Sequence, residues 1–315
     1  MSQSHEHSQS HGLSPSSEQL RAWLPAVIDI AVAAGHDILR IYEADFDVTL
    51  KRDRSPLTEA DLAAQRTIGA GLAALTPQIS MLGEESAPGV FEQRRGWQTL
   101  WLVDPLDGTR EFVKRNGEFT VNIALVHRGE AVLGVVYAPV TGVAYAAARG
   151  GGAFRRSATG ERTPLHVTAA APTPLRVLAS RSHGDAVLDR MLERLGTTQR
   201  ISVGSALKFG LLAEGAADLY VRRGSTCEWD TAAGHAVVLE AGGAVVDFTG
   251  HALRYNERDT LINPSFIAYA DASQNWVGRL LAPDGPGGPA DPGGSAGPVG
   301  TTGAGGAGGP APSRS

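Results

Sequence analysis

The segment 100–120 contains two aspartates on either side of a predicted turn. An apolar run precedes Asp104, a Pro-Leu pair predicts the turn, and Asp107 follows it. The next two residues, Gly108 and Thr109, have the character of a helix start, where free backbone N–H groups bind anions. Carboxylates without His or Cys neighbours suit hard cations such as Mg²⁺. The spacing therefore predicts a metal-dependent phosphate site at the end of one strand.

Other binding motifs do not fit this segment. If Gly108 were the sixth residue of a calcium-binding EF-hand loop, the first and twelfth positions would be Val103 and Lys114. Neither residue binds calcium through its side chain. The segment has no Walker or Rossmann glycine pattern and no G-x-S-x-G elbow of a serine hydrolase. Metal chemistry with oxygen ligands remains.

Two further carboxylates follow the same logic. Glu84, in the sequence GEES, comes after an apolar strand as Asp104 does, so neighbouring strand ends would bring these residues together. Asp230, in the sequence EWDT, stands at the predicted N-cap of a helix. An aspartate at that position commonly serves only as a cap. The residues alone leave both interpretations of Asp230 open.

Several separated motifs resemble one known family. The sequences DPLDGT (104–109), GEES (83–86) and EWDTAAG (228–234) resemble the inositol monophosphatase superfamily of Mg²⁺-dependent, lithium-sensitive phosphatases. Residues 114–125 and 203–209 resemble its 3′(2′),5′-bisphosphate nucleotidase branch. The resemblance covers about residues 20 to 281. One departure is Arg223, which replaces an aromatic residue of the branch and adds charge near the expected substrate entrance.

The resemblance implies a site with two or three Mg²⁺ ions. The implied metal ligands are the carboxylates of Glu84, Asp104, Asp107 and Asp230 and the backbone carbonyl of Leu106. The implied catalytic residues, which activate and orient the attacking water beside the metals, are Glu84, Asp107 and Thr109. The implied substrate contacts are Glu84, Leu106, Asp107, Gly108, Thr109, Ser205, Lys208, Arg222 and Asp230, with Gly108 and Thr109 receiving the scissile phosphate on backbone N–H groups.

Alternatives remain for three of the charged residues. The resemblance places Asp61 and Lys51 next to the metal site, but Asp61 also completes a capping box and Lys51 would equally be a solvated lysine. The alternative for Lys208 is a charge on a helix surface. Arg222 matches the arginine that meets the second phosphate of the substrate.

The activity implied by the resemblance is hydrolysis of the 3′-phosphate of adenosine 3′,5′-bisphosphate to give AMP. It extends to the sulfated form of that nucleotide and serves sulfate assimilation and nucleotide recycling. Two alternatives of the same class are an inositol monophosphatase and a fructose-1,6-bisphosphatase. An alternative of another class is a regulator that binds metal or nucleotide without catalysis.

Hydrophobic periodicity predicts the elements that position these residues. Helices are predicted near 20–41, 58–75, 186–195, 206–214 and 231–240. Strands are predicted near 79–82, 100–103, 120–127, 131–138, 143–147, 176–179, 200–203, 218–221, 244–247 and 266–270. The fold class is α+β, and the resemblance implies a layered α/β/α/β/α sandwich of the inositol monophosphatase and fructose-1,6-bisphosphatase type. Two subdomains, 18–162 and 163–282, are expected to hold the site between them.

Composition limits the other possibilities. The chain has 315 residues, a net charge of −5 and one cysteine. It therefore lacks the basic footprint of a nucleic-acid binder and cannot form an internal disulfide, which suits a reducing, cytoplasmic compartment. Residues 1–17 and 283–315 are predicted to be disordered tails. No secretion signal and no apolar run of about eighteen residues is evident, so no transmembrane segment is expected. Peripheral membrane association and oligomeric state are left open.

Overall fold

The computed structural model describes residues 14–44, 48–50, 56–168, 172–179 and 186–282. The predicted C-terminal tail from residue 283, most of the predicted N-terminal tail, and Lys51 lie outside these residues. Residues 16 and 17, assigned by sequence to the tail, instead begin the first helix, because Ser16 caps it. Its side chain accepts the backbone N–H of Gln19, whose own side chain accepts that of Ser16.

Helices and strands alternate along the described chain. The helices are α1 Ser17–Tyr42, α2 Glu59–Leu75, α3 Pro88–Gln93, α4 Thr109–Val113, α5 Ala186–Glu193, α6 Leu207–Ala213, α7 Glu228–Glu240 and α8 Trp276–Leu281. The strands are β1 Val48–Leu50, β2 Pro56–Thr58, β3 Ser80–Gly83, β4 Thr99–Asp107, β5 Thr120–His127, β6 Glu130–Ala138, β7 Val143–Ala148, β8 Ala153–Arg156, β9 Arg162–Leu165, β10 Leu175–Ala179, β11 Thr198–Ser202, β12 Leu219–Arg222, β13 Ala244–Asp247 and β14 Phe266–Tyr269.

A seven-stranded sheet runs in the simple order β3 to β9. Every neighbouring pair is antiparallel except β3 and β4, which are parallel. The sequence did not predict β8 and β9, because both are short and carry arginines, and β9 contains a proline that suits an edge strand. Since β9 begins at Arg162, it crosses the expected subdomain boundary between residues 162 and 163. The division into two subdomains stays a prediction.

A five-stranded sheet of mixed direction follows later in the chain. Its order is β11-β10-β12-β14-β13. The pairs of β10 with β11 and with β12 are parallel, whereas β14 is antiparallel to both of its neighbours. Strands β1 and β2 form a separate antiparallel pair.

The two sheets and three helical layers build an α/β/α/β/α sandwich. Helices α1 and α2 cover one face of the seven-stranded sheet, and α6 and α7 pack between the two sheets. Helices α5 and α8 cover the outer face of the five-stranded sheet. Because both faces of the seven-stranded sheet are covered, β5 is buried along its whole length. The predicted α+β fold class and layer order are confirmed.

By length and composition alone helix α1 could cross a membrane, a property that buried core helices share, so the expectation of no transmembrane segment is not overturned. Its apolar face, from Leu20 through Val27 to Ile38, is fully buried against α2 and the seven-stranded sheet. This is the arrangement of a core helix in a soluble protein.

Helix α7 lies at the centre of the sandwich, and most of its residues are buried. Two glycines allow this close packing. A Cβ added at Gly134 on β6 would lie 2.2 Å from the carbonyl oxygen of Ala233, and one added at Gly234 would lie 2.3 Å from the ring of Phe209. The helix that carries Asp230 is thus fixed against the sheet that carries Asp104 and Asp107.

Candidate active site

Neighbouring strand ends place Glu84 beside Asp104. Strands β3 and β4 are parallel, with Gly83 opposite Val103, so the next residues of each strand leave the sheet together. The backbone N–H of Glu84 donates to the carbonyl of Val103 at 3.1 Å, which continues the pairing by one residue. This register confirms the sequence-based expectation that the ends of the two strands lie side by side.

Strand β4 continues through the predicted turn to Asp107, but a bulge between the two aspartates interrupts its pairing with β5. The register shifts between Asp104 and Asp107, and the backbone N–H of Leu106 donates to Oδ1 of Asp104 at 3.0 Å. Gly108 then adopts a φ of 91° as the N-cap of α4, a left-handed conformation that glycine accommodates without strain. The end of β4 therefore carries both Asp104 and Asp107.

Asp61 contacts both Thr58 and Thr109. Its Oδ2 accepts the backbone N–H and the hydroxyl of Thr58 at 2.8 and 2.7 Å, which closes the capping box of α2. Its Oδ1 accepts the hydroxyl of Thr109 at 3.4 Å. The same hydroxyl lies 3.2 Å from the carbonyl of Leu106. Asp61 thus fixes the start of α2 and contacts Thr109 as well.

Asp107 is bonded to two distant parts of the chain. Its Oδ2 accepts the backbone N–H of Ala206 at 2.6 Å and the side-chain amide of Asn122 at 3.2 Å. The hydroxyl of Thr120 lies 3.4 Å from the same oxygen and 3.1 Å from the hydroxyl of Ser205. The carboxylate therefore joins the turn of β4 to strand β5 and to the segment that precedes α6.

Asp230 lies inside the first turn of α7, not at its N-cap as predicted. The helix begins at Glu228, three residues before the predicted start, and Cys227 is the cap. The reason is that Asp230 closes a capping box by accepting the backbone N–H of Cys227 at 2.8 Å. The buried carboxylate of Glu228 also holds the first turn of α7 in place, because it accepts the backbone N–H of Asn256 and an N–H of the Arg258 guanidinium.

The aspartates form a cluster of negative charge. Burial raises the pKa of Asp104 well above its ordinary value, and four carboxylates raise it further, in the order Glu84, Asp107, Asp230 and Asp61. Burial also raises the pKa of Asp230, with Asp107 and then Glu84 adding to the effect. The pKa of Asp107 rises through burial despite the opposing charge of Lys208. A bound cation would relieve this mutual repulsion.

The donor chemistry of the cluster fits a hard cation. Four carboxylates and the Leu106 carbonyl supply only oxygen ligands, which suit Mg²⁺. Among the described residues, however, no three His, Cys, Asp or Glu side chains are already grouped tightly enough to hold a metal ion. The carboxylates are therefore close enough to raise one another's pKa without forming a ready-made cage.

A cleft of about 140 Å³ opens beside the carboxylate cluster. Predicted site residues on its walls are Asp107, Gly108, Ser205, Lys208, Arg222 and Asp230. Other wall residues that sequence reasoning missed are Arg110, Glu111, Tyr220, Thr226 and Thr231. Four predicted site residues are not among the wall residues: Glu84 after β3, Asp104 and Leu106 in β4, and Thr109 at the start of α4. Arg110 lies at the start of α4, next to Gly108 and Thr109, which are predicted to bind phosphate. This position was the signal by which the sequence could have pointed to Arg110.

Lys208 is a buried cation, so the interpretation as a helix surface charge is wrong. Its side chain is 6% exposed. The ammonium donates to the carbonyl of Val203 at 3.1 Å and to that of Ser205 at 2.7 Å. Burial lowers the pKa of Lys208 to about 8, and the charge of Asp107 opposes that fall. The ammonium therefore braces its own segment beside the carboxylate cluster.

Arg222 and Ser205 complete the cleft wall opposite α4. Arg222 donates from Nη2 to the carbonyl of Ser225 at 3.4 Å, whereas its buried Nε has no hydrogen-bond partner within the described part of the chain. Ser205 adopts a φ of 43°, a conformation uncommon for a residue with a side chain. Arg223, the departure from the branch pattern, is half-buried next to Arg222, and its carbonyl accepts the hydroxyl of Ser265.

Comparisons with known proteins agree with this geometry. The model of the inositol monophosphatase family matches residues 19–280. The chain is 51% identical to the 3′(2′),5′-bisphosphate nucleotidase CysQ of Escherichia coli (strain K12) over 245 residues, which are 77% of this chain and 98% of that protein. A crystal structure of CysQ from Bacteroides thetaiotaomicron is 42% identical with a TM-score of 0.67, and the match covers 78% of this chain and 96% of that one. The extragenic suppressor protein suhB from Bartonella henselae is 26% identical with a TM-score of 0.67, over 82% of this chain and 98% of that one.

A five-layer sandwich with an acidic cluster at its strand ends defines the class of protein. The chain belongs to the inositol monophosphatase family. The family and the fold predicted from the separated acidic motifs are confirmed.

Proposed function

We propose that this protein is a Mg²⁺-dependent phosphomonoesterase that removes the 3′-phosphate of adenosine 3′,5′-bisphosphate to give AMP, and that it also accepts the sulfated nucleotide. The single observation that carries the proposal is one cleft with acidic and basic walls. Asp107 and Asp230 line it together with Lys208 and Arg222. The carboxylates suit metal ions, and the cations suit the charges of a substrate with two phosphates.

The metal-binding residues of the proposal are Glu84, Asp104, Asp107, Asp230 and the carbonyl of Leu106. Two or three Mg²⁺ ions held there would activate water and neutralise phosphate charge. The raised pKa of Asp104 and Asp230 supports this assignment, because a cluster that resists ionisation by itself is stabilised by bound cations.

The catalytic residues of the proposal are Glu84, Asp107 and Thr109. The Thr109 hydroxyl and the Glu84 carboxylate orient the attacking water. Asp61 holds that hydroxyl through the 3.4 Å contact with its Oδ1. Backbone N–H groups of Gly108 and Thr109 receive the scissile phosphate, because the left-handed turn at Gly108 leaves the first N–H groups of α4 without helical partners.

The substrate residues of the proposal are Ser205, Lys208 and Arg222, in addition to the metal-site residues that meet the scissile phosphate. Arg222 would bind the second phosphate, which an inositol monophosphate lacks. The name of the relatives at 51% identity, 3′(2′),5′-bisphosphate nucleotidase, supports a nucleotide with two phosphates as the substrate. A cytoplasmic location and a role in sulfate assimilation belong to the same proposal.

A substrate panel tests the proposal. Purified protein with Mg²⁺ is assayed for phosphate release from adenosine 3′,5′-bisphosphate, 3′-AMP, inositol 1-phosphate and fructose 1,6-bisphosphate. We expect the highest kcat/KM for the nucleotide bisphosphate, by at least about 10-fold, because one additional charged hydrogen bond has that value. A preference for inositol or fructose phosphate would favour the alternatives of the same class.

A binding measurement separates the remaining alternative. A regulator without catalysis would bind the nucleotide, with a heat of binding in calorimetry, and release no phosphate at any Mg²⁺ concentration. Hydrolysis that disappears on chelation of Mg²⁺ and returns on its replacement would exclude such a regulator.

A further inference from the structure

We propose that Glu118 is a positioning residue that holds the segment Gly204–Lys208 in the conformation needed to bind substrate. The inference rests on the proposed function for what the segment binds. It does not rest on that function for how the segment is held. Glu118 belongs to the stretch 114–125 that resembles the nucleotidase branch.

The direct contact is a hydrogen bond across 86 positions of the chain. Oε2 of Glu118 accepts the backbone N–H of Gly204 at 2.8 Å. Glu118 is itself fixed, because its backbone N–H donates to Oδ1 of Asn116 at 2.9 Å and Gly117 before it adopts a φ of 78°. The carboxylate therefore extends from a tight turn just before β5, and this turn fixes the backbone from which the side chain reaches Gly204.

The backbone of the segment packs closely against Glu118 at this contact. A Cβ added at Gly204 would lie 2.7 Å from the carbonyl oxygen of Glu118 and 2.9 Å from Cγ of Glu111. A Cβ added at Gly108 would lie 3.2 Å both from that oxygen and from Cβ of Ser205. The backbone of Glu118 thus lies between Gly108, which is predicted to bind phosphate, and the segment 204–208, in contact with both.

Two carboxylates hold the segment on either side of Ser205. Glu118 accepts the N–H of the residue before it, and Asp107 accepts the N–H of the residue after it. Ser205 between them has a positive φ of 43°, which costs energy in an unconstrained loop. The Lys208 ammonium donates to the Ser205 carbonyl, so the position of the cation depends on this conformation. Without the Glu118 bond, one of the two carboxylate contacts that flank Ser205 is lost, while its contacts with Thr120 and Lys208 remain.

Two conservative substitutions separate the hydrogen bond from the charge. Glu118→Gln keeps an acceptor oxygen at the same reach but removes the charge. Glu118→Asp keeps the charge but shortens the side chain by one methylene, so the acceptor no longer reaches Gly204. Glu161→Asp, at an exposed position, is the matched control for that shortening.

The first measurement is amide hydrogen exchange of residues 203–208 in the protein without metal or substrate. We expect exchange about 10-fold faster in Glu118→Asp, because a hydrogen bond to a charged acceptor is lost, and exchange close to the parent rate in Glu118→Gln and in the control. Unchanged exchange in Glu118→Asp would overturn the proposal. Equal acceleration in both Glu118 variants would also overturn it, since the charge would then be the important feature.

The second measurement is the kinetics of phosphate release from adenosine 3′,5′-bisphosphate. Glu118→Asp should raise KM by about 10-fold and change kcat by less than about 3-fold, and Glu118→Gln should largely restore KM. A loss confined to kcat would contradict a positioning role in binding. If the parent protein releases no phosphate from this nucleotide, the proposed function fails, and the exchange result alone decides the positioning role.

Discussion

The backbone N–H of Ala206 donates a 2.6 Å hydrogen bond to Oδ2 of Asp107, although 99 positions separate the two residues. The same carboxylate is a proposed metal ligand, and the same backbone segment carries Ser205 and Lys208. One side chain therefore connects the metal-binding turn to the substrate-binding segment. Changes at Asp107, in the cleft wall and in the core between the sheets should consequently have different effects on activity and stability.

Asp107→Asn should abolish most of the hydrolysis and leave the fold intact. The Asn amide oxygen can still accept the N–H of Ala206, which now meets Oδ2, but the neutral side chain is a poor ligand for Mg²⁺. We expect kcat to fall by at least about 100-fold, more than the loss of a residue that only orients a ligand. Phosphate release and thermal unfolding without metal are the measurements.

The direction in which the Tm of Asp107→Asn changes is a second test of the carboxylate cluster. Since burial raises the pKa of Asp107 and its charge raises that of Asp104 and Asp230, removal of the charge should leave the Tm of the metal-free protein equal or higher. Asp259→Asn, at a fully solvated side chain, is the control. Full activity of Asp107→Asn would contradict the metal assignment.

Arg222→Ala should impair the bisphosphate selectively. The guanidinium lines the cleft, and its Nε has no partner in the part of the chain that the structure describes, so a second phosphate is an expected acceptor. Loss of a charged hydrogen bond should raise KM for adenosine 3′,5′-bisphosphate by about 10- to 100-fold. KM for 3′-AMP, which lacks the 5′-phosphate, should change by less than about 3-fold. Steady-state kinetics on both substrates measure the difference.

A control and a contrary outcome complete this test. Arg190→Ala removes an exposed arginine from α5, a helix that contributes no residue to the cleft wall, and should leave both KM values unchanged. Equal losses of Arg222→Ala on both nucleotides would mean that Arg222 supports the cleft structurally and does not read the second phosphate.

Local sequence patterns were sufficient to predict most of the fold. The capping box of Thr58 and Asp61, the helical period of α1 and the apolar run before Asp104 each predict an element from neighbouring residues alone. Strand β9 is not predicted because most of its residues are exposed at the edge of the sheet. It therefore lacks the alternation of buried and exposed residues that marks a strand. The start of α7 was placed three residues late because Asp230 caps the helix from inside its first turn.

Long-range contacts were beyond local patterns. The motif around Asn122 was visible as a resemblance, but its amide bond to Asp107 depends on the pairing of β5 with β4. Burial of Lys208 was likewise hidden, since a lysine on a short helix is commonly solvated and only the packing of α6 between two sheets encloses it. Local motifs show which residue types the site contains, whereas the contacts between those residues depend on how the strands and helices pack.

His235 should make the protein less stable in acid. Burial lowers the pKa of His235 to about 4, and its Nδ1 lies 2.9 Å from the hydroxyl of Tyr255. In the unfolded chain a histidine has a pKa near 6.5, so the unfolded state binds the proton first as the pH falls. The stabilisation is complete above about pH 6.5 and is lost between there and about pH 4. The full loss is about 3 kcal/mol in the free energy of unfolding.

The matched variant for this effect is His235→Gln, which keeps a hydrogen-bonding side chain but does not titrate. The free energy of unfolding in urea is measured from pH 8 to pH 4 for both proteins. The parent minus the variant should decline by about 3 kcal/mol over that window and stay flat above pH 7. Carboxylates with raised pKa values titrate in both proteins and cancel in the difference. Parallel curves would show that His235 takes up no proton on unfolding, and the prediction would then be wrong.

Gly134→Ala should destabilise the centre of the sandwich. The added Cβ would lie 2.2 Å from the carbonyl oxygen of Ala233 and 2.9 Å from Cβ of Ala236, so β6 and α7 would have to separate. We expect the free energy of unfolding in urea to fall by about 3 kcal/mol, the cost typical of overpacking a core. Phosphate release should fall as well, because α7 carries Asp230.

Gly69→Ala is the matched control for that substitution. Gly69 lies within α2, and a Cβ added there would meet only Cε of Met81 at 3.5 Å, an ordinary contact. Because alanine restricts the unfolded chain and suits a helix, this variant should be more stable than the parent by about 0.5–1 kcal/mol. Opposite shifts in the two variants would locate the constraint at the contact of β6 with α7. A Gly134→Ala protein as stable as the parent would show instead that α7 can move away from the sheet at little cost, and its proposed role in fixing Asp230 would then fail.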